Sequence, residues 1–226
     1  MSSPRAVGSQ INLAFQPKFP TFTPDTFKRI LDEKGFTISQ AQATSPQGQQ
    51  MQVQTFSKGN LVIALVPNPV PQAPPQIAFQ VLNTASLMEV SEGTPIIDTI
   101  KDILAKLNIE PDSVGSMVFN CITAVTTAVE PIKVLTLAIK SDLLSGISKA
   151  LGMEPLSVGS IVLGTAFPLT GNGLEVRLEP LVNNPQKQYY VSVVLRTDDM
   201  GEFDMFIRRF EKKVVEEIIQ LVGKHV

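Results

Sequence analysis

The sequence predicts an α+β fold: two pseudo-repeated halves of antiparallel sheet with helices on one face, closed by a long C-terminal amphipathic helix. Three observations predict it. A helix–turn–strand unit is written twice, because Glu110-Pro111 and Ser113-Val114-Gly115-Ser116 recur at one constant offset as Glu154-Pro155 and Ser157-Val158-Gly159-Ser160. Ile103 and Leu107, on the helix before the first copy, match Ile147 and Leu151 before the second. Leu174 to Glu179 alternates strictly between apolar and charged residues, the period of a strand with one wet face. Thr23-Pro24 and Thr94-Pro95 each open an amphipathic run with a capping hydroxyl and a proline at the first helical position.

Taken in order, residues 1–10 read as a mobile tail, and 11–226 as a single body with pseudo-halves at about 11–110 and 111–226. Ile11, Leu13 and Phe15 alternate with polar or small residues, as in a half-buried strand. The helix opened by Pro24 buries Phe27, Ile30 and Leu31, and Gly35 closes it in a left-handed conformation. Strands follow at 36–43, 50–57, 60–67 and 76–83, the middle two joined by a tight hairpin at Lys58-Gly59-Asn60. Prolines between 67 and 75 stiffen the next loop. At 100° per residue, Ile96, Ile97, Ile100, Ile103, Leu104 and Leu107 share one helical side.

Strands are then expected at 114–126 and 132–139, and the second helix copy from Ser141 to Gly152, with Leu144 and Ile147 on its apolar face. Strands at 157–168, 174–179 and 188–197 make an antiparallel meander. Asp199 with Glu202 forms a capping box for a final helix over 200–222. Phe203, Phe206, Ile207 and Phe210 begin its core stripe. Val215, Ile219 and Val222 form a second apolar row about 100° away, where a surface helix carries polar residues. That row predicts a covering partner, either the rest of the chain or another subunit.

Composition narrows function. Hydrophobic residues make up 43% and charged residues 18%, with a net charge of −2, so no long-range field draws the chain to nucleic acid or anionic lipid. One cysteine excludes an internal disulfide. There is no signal-peptide pattern at the N-terminus and no apolar run long enough to span a bilayer, so a cytoplasmic location without membrane association is expected.

Residues suited to chemistry are sparse. His225 is the single histidine, and Cys121 lies in an apolar β-branched run, where it reads as core. Gly171-Asn172-Gly173 and the two Ser-Val-Gly-Ser segments lack the lysine and spacing of a phosphate loop; Gly115 and Gly159 read as bulge or close-packing positions. Asp198, Asp199, Glu202 and Asp204 gather where a helix N-terminus favours acids, and Arg208, Arg209, Lys212 and Lys213 interleave with acids at helical spacing. Pro71-Gln72-Ala73-Pro74 matches a polyproline ligand only formally.

The order of elements resembles a sporadically distributed, uncharacterised prokaryotic protein family, with an early strand before a Thr-Pro-opened helix and a meander before a long terminal helix. That resemblance implies no activity and no functional residues. The half-pattern also resembles the TATA-binding saddle fold, whose sheets bind DNA through basic and intercalating residues that this sequence lacks. The expected function is therefore a non-enzymatic binding or structural protein working through protein contacts, as a homo-oligomer joined by Val215, Ile219 and Val222. No catalytic residue, metal or cofactor is expected. The alternative is a carrier of an apolar small molecule in a sheet–helix cavity lined by residues such as Phe79, Phe119, Phe167 and Phe206; an enzyme ranks third.

Overall fold

Two strands of 13 residues, β1 (Arg5–Pro17) and β6 (Val114–Thr126), run antiparallel side by side along the middle of the sheet. The computed structural model describes residues 5–19, 22–44, 50–67, 74–82, 96–137, 144–145, 147, 149–150, 158–165, 171–210 and 217. On the outer side of β1 lie β5 (Gln76–Leu82), β4 (Leu61–Val66), β3 (Gln50–Lys58) and β2 (Thr37–Thr44). On the outer side of β6 lie β9 (Gln188–Thr197), β8 (Gly173–Pro180) and β7 (Ile161–Gly164). All nine pair antiparallel, so the described chain is an α+β structure around one sheet.

Residue alternation assigns the two faces. Across the ladders, Phe56, Ile63, Phe79, Leu13, Phe119 and Leu195 fall in one row, and every one is buried. This face takes the helices α1 (Pro24–Glu33), α2 (Ile96–Lys106) and α4 (Met200–Phe210). Phe27 meets Phe56, Phe203 meets Phe15, and Phe210 meets Phe119, all with ring centroids between 5.0 and 5.4 Å. α1 and α2 supply the residues their patterns predict: Phe27, Ile30 and Leu31 from α1, and Ile96, Ile97, Ile100, Ile103 and Leu104 from α2.

The ends of the elements follow local chemistry. The Thr23 hydroxyl accepts from the Thr26 amide, and Gly35, at φ 76°, closes α1. Gly59, at φ 59°, makes the two-residue turn between β3 and β4. Gly115 sits where the β1–β6 register shifts, and a Cβ there would lie 3.2 Å from the Lys18 side chain. It is thus the bulge residue its sequence suggests. At Gly159, by contrast, a Cβ would meet nothing within 4 Å among the described residues, so the close packing expected there is not found.

Four expectations need correction. Residues 5–10 are not a tail: they extend β1, because β6 offers ladder partners as far as Thr126. Residues 131–137 are helix α3, not a strand. Ile132, Val134 and Thr136 alternate, but Pro131, Val134 and Leu135 are the ones buried, at helical spacing, and the Thr136 hydroxyl donates back to the Ile132 carbonyl. The strand expected over 157–168 is described only as the short β7, which pairs with β8 from Ile161 to Gly164. In the second helix copy Leu144 packs on the core, whereas Ile147 is exposed. Residues 151–157, 166–170 and 218–226 lie outside the described residues.

Among the described residues three ion pairs tie the helix layer together, Lys34 to Asp102, Lys101 to Asp204 and Arg208 to Asp98, and Arg208 also pairs with Asp204 of its own helix. Burial works against the Asp204 carboxylate, but Lys101 and Arg208 outweigh it and hold the group below its usual range. A lowered carboxyl pKa stabilises the fold above the unfolded value of about 3.9 and loses that contribution as pH falls. Asp204→Ala should cost about 1 kcal/mol in urea melts at neutral pH, with the gap to the wild type narrowing as pH falls below the ordinary carboxylate value of about 3.9. A gap that stays constant with pH would show that the pair contributes nothing.

Candidate interaction surface

The face of the sheet away from these helices is made of the alternate residues of the same strands. Val62, Gln80, Asn12, Asn120, Val194 and Glu175 form one row across it. All are half-buried. Asn12 and Asn120 stand opposite each other on the two central strands, so the middle of this face is a pair of amides. On this face, Gln10 to Gln16 of β1, Gln76 to Gln80 of β5, Val118 to Ala124 of β6 and Tyr190 to Val194 of β9 include no charged residue. Charges begin at the flanks, with Arg196 on β9 and Glu175, Arg177 and Glu179 on β8. Low charge over a half-buried centre is the composition of a contact surface core.

The two edges of the sheet differ. β7 is four residues long. β2 is eight residues long, pairs with β3 in an unbroken register, and contains no proline, glycine or charged residue.

The beginning of α4 accounts for the acidic group. Asp199 Oδ1 accepts from the amides of Gly201 and Glu202 at 2.7 and 3.1 Å. Glu202 does not return to the Asp199 amide, as a standard capping box would. Its carboxylate accepts a hydrogen bond from the Thr197 hydroxyl, and the Thr197 oxygen accepts from the Asp199 amide at 3.1 Å, so the box closes through Thr197. Asp198 accepts from the Asn172 side chain at 2.6 Å. These acids serve the β9–α4 junction.

Cys121 is fully buried in β6 between core residues. Tyr189 is buried in β9, and that burial pushes its phenol up to about 12, so it packs as a neutral ring. Beside α4 is a cavity of about 450 Å³ with Leu174, Leu195, Met205 and Phe206 as its apolar wall and Glu202 and Arg209 at its rim. Of the four phenylalanines expected to line a cavity, Phe206 does so; Phe79 and Phe119 are core, and Phe167 lies outside the described residues. The predicted row Val215, Ile219 and Val222 also lies outside them, as do His225, Lys212 and Lys213.

Sequence reading did not single out the uncharged face or the β2 edge. The signal was present in the neutral run Thr37–Thr44 and in the glutamines and asparagines that alternate with core residues in β1 and β5. No known family model matches the chain, and no curated protein matches it.

Proposed function

We propose that this is a non-enzymatic binding or structural protein that acts through protein contacts, as a homo-oligomer. The observation that carries the reading is the broad, uncharged and half-buried sheet face centred on Asn12 and Asn120. The lack of cations at its centre favours protein over nucleic acid, whose binding needs phosphates to be neutralised. The chain consists of two pseudo-repeated halves in this reading. β1 and β6 each lead into a helix and then into antiparallel strands whose last member, β5 or β9, returns to pair beside them. The long amphipathic terminal helix adds the row Val215, Ile219 and Val222 as the subunit contact.

Ile219→Glu tests that contact, because a charge buried without a partner costs several kcal/mol. The variant is expected to run as a smaller species in sizing chromatography while keeping its circular dichroism. Loss of stability without a change in assembly would place the row inside the chain; unchanged size and melting would show it exposed.

The cavity beside Phe206 favours a second reading, a carrier of an apolar small molecule. Denaturing extraction separates the two: a stoichiometric apolar molecule in the organic phase supports the carrier, and none is expected for the contact protein.

A further inference from the structure

We infer that β2 is a strand-addition edge whose occupant is β2 of a second copy, so that two sheets join into one. This rests on the reading that the chain self-associates through protein contacts. An edge strand holds a row of outward N–H and C=O groups without ladder partners, and proteins blunt such edges with short length, charge, proline or a bulge. At the β7 end the sheet uses short length. At the β2 end it uses none of these: all eight residues pair with β3 without a register shift, and all are neutral.

Further observations point to a second copy. Thr37, Ile38, Ser39, Gln40 and Ala41 are exposed in succession, so neither face of this stretch is covered by the described chain. The Ser39 and Thr55 hydroxyls bond to each other at 2.8 Å, which adds a side-chain link to the β2–β3 register. Among the described residues β3 pairs with β4 from Thr55 to Lys58, so the outer part of the β2–β3 ribbon extends past the next strand. Two-fold antiparallel pairing of β2 with itself sets no like charges opposite one another, because the strand has none. It continues the sheet with the same antiparallel geometry used throughout the fold.

Two measurements on the full chain test this. The double variant Gln40→Lys/Ala41→Lys places like charges on both faces of the edge at exposed positions, so folding is spared. In sedimentation velocity it should weaken self-association by roughly tenfold or more, with the melting temperature kept. Single-cysteine substitutions from Thr37 to Thr44 provide the second readout, since buried Cys121 is out of reach of a cross-link in the native protein. Only a residue on the two-fold axis faces its own copy at disulfide distance, so cross-linking should peak at one position and fall on both sides. An oligomer that survives the lysine pair and shows no such peak overturns the β2 pairing while leaving self-association intact. A wild-type chain that stays monomeric at high concentration overturns both.

Discussion

Phe15→Ala is expected to destabilise the protein by about 3–5 kcal/mol, measured as a lower midpoint in urea with an unchanged slope. Phe15 is fully buried on β1 at the centre of the sheet. Its ring meets Phe79 of β5 at 5.5 Å and Phe203 of α4 at 5.2 Å, both edge to face. The substitution therefore removes the contact between the early strand and the last described helix, and leaves a cavity that strands fixed on both sides cannot close. A loss under about 1 kcal/mol would mean that α4 is not held over β1 in this way.

The second large effect separates the two faces of one strand. Val193 is fully buried on β9, paired with Cys121 and Val176, whereas its neighbour Ser192 is half-buried on the uncharged face. Val193→Asp puts a carboxylate among apolar side chains and should cost several kcal/mol, giving insoluble or unfolded protein. Ser192→Asp should melt within about 1 kcal/mol of the wild type, as substitutions away from core features do. If the uncharged face is a contact surface, Ser192→Asp should also lower self-association in sedimentation. Equal damage from both variants would refute the assignment of faces.

The sequence was most legible where one residue pattern had one structural solution. The alternation in β8 and β9 and the capped start of α1 are local, and they reappear with the predicted bounds nearly unchanged. The segment 131–137 was not legible, because Ile132, Val134 and Thr136 satisfy a strand period while Pro131, Val134 and Leu135 satisfy a helical one. Burial of the second set decides between them, and burial is a property of the neighbours.

The repeated Ser-Val-Gly-Ser unit shows the same limit. Its first copy leads into β6 at the sheet centre, while its second leads into the four-residue edge strand β7. Among the described residues, equal local sequences gave unequal strands because β6 has β1 and β9 on its two sides and β7 has only β8. The amino-acid order alone thus determined the class, the antiparallel meander and which side chains of β1 and β8 turn inward. Only the tertiary structure decided that β1 and β6 lie together and that β2 is the edge among the described strands. It alone set Asn12 beside Asn120. Those outcomes come from pairings between distant segments, where register is set by packing of the helix-covered face and not by any local preference.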